Sequence, residues 1–495
     1  MRHFLIERRW RCVFCMVFGS LALASLAHAD EDTSRRLRHS LQFSTDQKAE
    51  SVLVPEASDW PEGTEGMLVN GQLLRIEANV NDLGKAIYLG VNHQLWPDVR
   101  RLLPQYQALA NHDEALVGFA QAALARAEGD YSAAITGYRQ LLQAQPDFLR
   151  VQLELGRTLY ENHQNTEAQA WFKQIELPTD ALGLQENVAG YVDALAVREA
   201  WHGSVAIGPA HNSNLNQSTA SVTYFPVYED NQLQGYVERR IPGPVADQGW
   251  AYEATLSKQK NVSGNHGLML RGLLYGNEYT HESSYSDSTA SVYGGYQYRS
   301  ARTTLTVAPL FEFNWQNHQA LSKALGAKIE WQYGLSPKAL VNVDVERKRL
   351  AYHQDDYAHN DGWQSSLFVT GTYALPQNWL VFGGLDWVRK DADEAVNAYH
   401  QQGARLGVAK SFAVGVETAL FGAWRHKQYD AYSDLLAAKR ADHEQTYTAI
   451  VKVPKFKLAG LTPSLLLRHH RVSSNVDWLY AYRKNEVSLK LEAYF

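Results

Sequence analysis

From Ala78 to about residue 200 the apolar positions recur at helical spacing, with Ala, Leu, Gln and Glu dense and the breakers confined to turns. Within this stretch Ala122, Ala134, Tyr138 and Pro146 return as Gly156, Ala168, Phe172 and, imperfectly, Asp180, at a spacing of 34 residues. That is the tetratricopeptide period, and the residue types suit it. Small side chains at Ala122/Gly156 and Ala134/Ala168 let two helices approach, Tyr138 and Phe172 wedge between them, and Pro146 stops the second helix. A degenerate upstream unit is expected around Tyr88, Trp96, Val99 and Leu103. Leu182 to Glu199 reads as a closing helix with Leu182, Ala189, Val192, Leu195 and Ala196 sharing one face. A plain helical bundle is the simpler alternative, since two good repeats fall below the roughly three that such arrays need.

After about His202 the period changes to two. Leu305, Val307, Phe311, Phe313 and Trp315 alternate with Thr304, Thr306, Ala308, Glu312 and Asn314, and Val341, Val343 and Val345 alternate with Asn342, Asp344 and Glu346. One face is apolar with aromatic ends and the other is polar and charged, the pattern of a transmembrane β-barrel strand. About fourteen such segments run to the terminus. Tight connections such as Arg299-Ser300-Ala301-Arg302 and Gly334-Leu335-Ser336-Pro337 alternate with longer polar ones at 215–247, 277–287, 351–362, 391–398, 429–443 and 473–483. Short periplasmic turns and long external loops behave this way, and an even strand number returns the C-terminus to the periplasm. The last segment places Val487, Leu489, Leu491, Ala493 and Phe495 on one face, and a terminal Phe on such a strand resembles the signal read by barrel-assembly machinery. A soluble β-sandwich shares the period, but it would have to cover the aromatic face with a second sheet.

The N-terminal end decides the compartment. Arg2, Arg8, Arg9 and Arg11 precede an apolar run from Cys12 to Leu26 and then Ala27-His28-Ala29, which is the form of a cleavable secretory signal. The expected division is therefore a signal peptide at 1–29, a leader at 30–77, a periplasmic helical domain at 78–200 and an outer-membrane barrel at 201–495. Both cysteines, Cys12 and Cys15, fall in the signal, so neither a disulfide nor a thiolate metal site is expected in the processed chain. A formal net charge of −6 without a Lys/Arg block argues against nucleic acid as a partner.

Catalytic patterns are missing: no HExxH, GxSxG, P-loop or EF-hand spacing occurs, so no enzyme activity, cofactor or metal is expected. His353, Asp355, Asp356 and His359 crowd one external loop, where solvated side chains are the simpler reading. His469 and His470 are adjacent in a strand and point to opposite faces. The polar face of the barrel is more informative. Glu253, Glu312, Glu330, Asp344, Glu346, Asp386 and Glu492 mix there with Arg271, Arg299, Lys328, Arg405, Lys452, Arg468 and Lys490 as candidate lumen-lining residues. Charges at membrane depth persist where they pair or meet water, so this lining reads either as a salt-bridged wall or as a wet conduit without a single-sign ring. Such balance suits a polypeptide or an uncharged ligand better than a polyanion.

The order of helical repeats and then a fourteen-strand barrel, the segment Ile207-Gly208-Pro209-Ala210-His211-Asn212-Ser213-Asn214-Leu215-Asn216 and the terminal Phe495 together resemble the surface lipoprotein assembly modulators, known as Slam proteins. The resemblance covers nearly the whole processed chain, with domain order and strand number carrying more of it than any motif. It implies translocation without covalent catalysis: delivery of surface lipoproteins or secreted haem-binding proteins across the outer membrane. Periplasmic chaperones and the barrel-assembly machinery are implied as further partners. In the matched repeats Arg126, Arg157 and Tyr160 are the candidate client-facing positions. The rival of another class is an exopolysaccharide exporter with the same order of repeats and barrel. Such an exporter is expected to carry longer repeat arrays and a more uniform lining.

Overall fold

The computed structural model describes residues 66–69, 72–229 and 232–495. The expected signal and most of the expected leader lie outside the described residues. A small antiparallel hairpin of β1 (Gly66–Val69) and β2 (Gln72–Arg75) leads into the helices. These are α1 (Val80–Asn92), α2 (Trp96–Gln107), α3 (Glu114–Glu128), α4 (Tyr131–Ala144), α5 (Leu149–Glu161), α6 (Asn165–Gln174) and α7 (Leu182–Arg198).

Local chemistry sets the helix ends. The Asp113 carboxylate caps α3 by accepting from the Ala115 and Leu116 amides. At the other end Gly129 takes φ 84°, a left-handed conformation that favours glycine, and Asp130 immediately caps α4. The repeat positions are packed as their sizes demand. Ala122, Ala134, Tyr138, Ala168 and Phe172 are buried, and a Cβ on Gly156 would sit 2.6 Å from the Phe172 ring. In the upstream pair Val99 and Leu103 are buried, but Tyr88 is exposed. The closing helix is rotated from the face the periodicity suggests, with Leu195 buried and Val192 packed on the core as that face requires. Val188, Leu195 and Arg198 are buried while Leu182, Ala189 and Ala196 are exposed, because Tyr191 stacks on Phe172 and meets Tyr160 edge-on.

The helix α7 runs directly into the barrel. Its strands are β3 (His202–Asn212), β6 (Asp247–Ser263), β7 (His266–Tyr279), β8 (Asp287–Arg299), β9 (Thr303–Gln316), β10 (Gln319–Ser336) and β11 (Ala339–Tyr352). They continue as β12 (Gly362–Leu375), β13 (Trp379–Lys390), β14 (Tyr399–Ser411), β15 (Glu417–Tyr429), β16 (Ala441–Lys452), β17 (Thr462–Ser474) and β18 (Tyr482–Tyr494). Neighbours pair antiparallel throughout, and β18 returns to β3 to close a fourteen-strand barrel. The alternation has the expected sense: Val345, Ile329 and Leu385 are exposed on the outer wall, whereas Glu346, Lys328 and Asp386 are buried inside. Outward Trp250, Trp363 and Trp387 near one rim and Trp331, Tyr373 and Trp379 near the other form the two aromatic girdles of a membrane barrel.

Two external connections are more ordered than their polar composition suggests. The 213–246 segment folds back as a hairpin of β4 (Val222–Glu229) and β5 (Gln232–Arg240). The segment after β17 contains a short helix α8 (Asp477–Tyr480), against whose Trp478 ring Phe225 packs at 5.1 Å. No helix among the described residues is long and apolar enough to cross a membrane.

Candidate functional site

Strand pairing brings charges that are far apart in sequence into one paired inner wall. Arg271 Nη1 lies 3.3 Å from Glu330 and donates to the Tyr293 hydroxyl at 2.6 Å, and that hydroxyl donates in turn to Glu330 at 2.8 Å. Lys328 Nζ lies 2.9 Å from the same Glu330, and Asp344 is the register partner of Glu330 on β11. Lys348 sits between Glu312 at 2.9 Å and Glu346 at 3.1 Å. Asp386, with its side chain 0% exposed, is held between Arg405 at 3.1 Å and Arg425 at 2.8 Å. Lys427 meets Glu444, Lys452 meets Glu492, Arg468 meets Glu486, and Lys490 lies 3.8 Å from Glu253. Arg299, near the periplasmic rim, donates to Gln259 at 2.9 Å. Lys348, Arg425, Lys427, Glu444 and Glu486 are absent from the set picked out by sequence. Each shares the parity of an inward neighbour, so a strict every-second-residue count would have found them. The Arg347-Lys348-Arg349 run hides its one inward member among two outward ones.

The helical domain docks on the periplasmic turns of this barrel. Asn265, in the turn between β6 and β7, donates to the Asn162 carbonyl at 2.6 Å and accepts from Gln164 at 3.1 Å. The Thr166 amide and hydroxyl bond Asn261, and Arg302 donates to the Glu128 carbonyl at 3.0 Å. Glu199 accepts from Lys260 and from the Asn261 amide. His163 is buried at this junction, and burial, reinforced by the charges of Arg299 and Arg198, pushes its pKa well below the ordinary imidazole value.

Of the candidate client-facing residues, Arg126 and Tyr160 are buried and Arg157 is half-buried. Arg126 is buried with its guanidinium 3.2 Å from Glu161 and 3.7 Å from Glu154. Arg157 supports the same Glu161 at 2.7 Å. Tyr160 is buried beneath the Arg198 guanidinium, 3.6 Å from its ring centre. Helix packing is the reason: α5 lies against α3, so that Arg126 and Arg157 meet at Glu161. The external His353, Asp355, Asp356 and His359 do not converge, and no cluster suited to a metal ion occurs among the described residues. His470 is buried inside, 2.9 Å from Thr446, and His469 faces outward to Asn485 at 2.7 Å.

The Asn-rich segment after β3 has a structural task at the seam where the first and last strands meet. Asn214 donates to the Ser218 and Arg483 carbonyls at 3.0 Å each and accepts from the Ser218 amide at 2.9 Å. Ser213 and Asn485 exchange two further bonds, and Asn216 ties the loop back through Gly243 and Val245. At the periplasmic end Gly203 and Phe495 exchange backbone bonds of 2.8 and 3.1 Å. Between these two clasps the pairing skips Gly208 and Pro209, and Pro209 has no amide to donate.

Comparison with known proteins agrees with this two-part architecture. Residues 201–495 match the family described as surface lipoprotein assembly modifier, and residues 70–172 match the N-terminal TPR repeats of the same family. The chain is 34% identical to the hemophilin secretion modulator of Acinetobacter baumannii, over 98% of this chain and 100% of that protein. It is 26% identical to surface lipoprotein assembly modifier 1 of Neisseria meningitidis, over 86% of each chain, and 22% identical to the protein of that name from Haemophilus influenzae, over 88% and 90%. Among solved structures, a loop-deleted OmpT from Vibrio cholerae aligns at a TM-score of 0.32 and 9% identity, over 60% of this chain and 98% of that one. With both the helical repeats and the barrel matched, the chain belongs to the surface lipoprotein assembly modifier family.

Proposed function

We propose that this chain is an outer-membrane translocator that assists a specific client, a secreted haem-binding protein or a surface lipoprotein, across the outer membrane. The observation that carries the reading is the 34% identity to a hemophilin secretion modulator along 98% of the chain, through both domains. The geometry supports it. The helical domain is fastened by Asn162, Gln164 and Thr166 to periplasmic turns, so a polypeptide held by the helices is held at the barrel mouth. Many of the candidate lumen-lining charges are paired across the wall, as at Lys328–Glu330, Lys452–Glu492 and Arg405–Asp386. A wall of neutralised pairs presents no single-sign ring to a passing chain. The reading assigns no covalent chemistry, no cofactor and no nucleic acid to the protein, and it makes periplasmic chaperones and the barrel-assembly machinery its accessory partners.

The test is deletion of residues 78–200 beside complete gene removal, scored by protease shaving for surface lipoproteins and by immunoblot of the medium for secreted haem-binding proteins. The expected result is an inserted, heat-modifiable barrel with client retained in the periplasm. Normal display and secretion of every such client after gene removal refutes the reading, whereas loss of surface sugar alone identifies a polysaccharide exporter.

A further inference from the structure

The outer, lipid-facing wall of β14 to β18 is not smooth. Gly422 and Ala449 leave a groove of about 670 Å³ between Leu420, Leu467 and Val487. Its upper end is polar, where His469 and Asn485 bond side chain to side chain at 2.7 Å. One outward position further toward the extracellular rim, Arg471 and Arg483 stand directly opposite each other as register partners of β17 and β18. Both are exposed, and neither has an ion-pair partner among the described residues. Of the other outward arginines near this rim, Arg347 lies over the Trp363 ring at 5.0 Å, Arg389 pairs with Asp391 and Asp430, and Arg349 stands opposite Trp363 and Leu325 rather than a like charge.

Two like charges placed directly opposite on adjacent strands repel. An anion shared by both guanidiniums removes that repulsion, and phosphate oxygens suit the planar donor fork of arginine. The apolar groove below supplies the other half of an amphiphile's requirement. We propose that this face is a binding site for a phosphate-bearing acylated lipid of the outer leaflet, with its phosphate between Arg471 and Arg483 and an acyl chain along the groove past Gly422 and Ala449. The site rests only on the barrel's placement in the outer membrane and is independent of any client. It lies beside the β3–β18 seam, so an occupied site would brace β17 to β18 at the extracellular end of that seam.

The test uses the full chain purified in detergent and native mass spectrometry with two probes: a bis-phosphorylated acylated glucosamine disaccharide and its dephosphorylated form. Wild-type protein is expected to retain the phosphorylated probe at least ten-fold better. The double variant R471Q/R483Q should lose that preference, and A449F, which fills the groove, should lower retention of both probes, with heat-modifiable migration confirming that each variant is folded. Equal retention of the two probes by wild-type protein, retention of neither, or an undiminished preference in R471Q/R483Q overturns the proposal. Unchanged retention by A449F overturns the placement of the acyl chain.

Discussion

Replacing Arg126 with Met tests whether the repeat domain is organised around a buried charge network. The side chain is 8% exposed and reaches two carboxylates, Glu161 at 3.2 Å and Glu154 at 3.7 Å. Burial opposes the charge on Arg126, and the attraction of Glu161 and then Glu154 overrides it, so its pKa is raised. Met matches the length of the stem but leaves both carboxylates without their shared cation. Breaking a buried pair in this way costs about 3–5 kcal/mol. The lower end applies here, because Glu161 keeps Arg157 at 2.7 Å and Glu154 keeps Arg150 at 2.8 Å. For a helical domain of this size a loss of ~3 kcal/mol lowers the melting temperature by roughly 10 °C. Circular dichroism at 222 nm on the full chain reads this domain almost alone, since the other described α-helix is the four-residue α8. The barrel, followed by heat-modifiable migration, should be unchanged. A variant melting within about 2 °C of wild type, against the roughly 10 °C expected, would show that the network does not stabilise the domain.

His163 gives a pH prediction with a definite sign. Its native pKa is depressed, so below an unfolded value of about 6.5 the unfolded state takes up a proton that the native state refuses, and stability falls with pH by up to ~1.4 kcal/mol per unit. Melting of the helical signal at pH 7.5, 6 and 5 should show this slope and His163→Gln should lessen it; equal slopes refute the assignment. At the seam, a Cβ on Gly208 would collide with the Leu489 carbonyl, so Gly208→Val should abolish heat-modifiable barrel, whereas Gly183→Ala, with open space around it, should not. Ala134→Arg or Ala168→Arg, each at a 0% exposed position, should unfold the repeats through overpacking and an unpaired buried charge while the barrel still inserts. An unchanged helical melt in either variant counts against the 34-residue register of the repeats. An epitope placed in 429–443 should be labelled on intact cells and one near Asp113 should not; the reverse pattern would invert the topology.

Much of the architecture was legible because it is written in local periods. The apolar spacing from Ala78 produces helices α1 to α7, and the alternation after His202 produces the barrel strands, since each pattern needs only a neighbour a few residues away. The 34-residue recurrence reports close helix contact for the same reason: Gly156 is small because Phe172 occupies the space its side chain would need. Balanced charges on the inward parity of the strands were legible too, but not their partners. Arg405 and Arg425 share Asp386 only because β13, β14 and β15 are neighbours at one register.

Long-range packing decided what local pattern left open. Arg126 and Tyr160 look like solvated helix positions when counted along one helix, and they are interior because α5 packs over Arg126 and α7 over Tyr160, while Arg157 is half-buried. The Asn-rich run after β3 is informative by composition alone, yet its clasp depends on Arg483, whose carbonyl meets Asn214 across 269 residues. The like-charged pair Arg471–Arg483 exists only through the register of β17 on β18. The sequence by itself therefore determined which elements form and which faces they bury, because those follow from spacing within one helix or strand. The tertiary structure alone decided which charges neutralise each other, which remain facing the lipid, and how the first strand is fastened to the last, because these depend on distances between segments that no local period encodes.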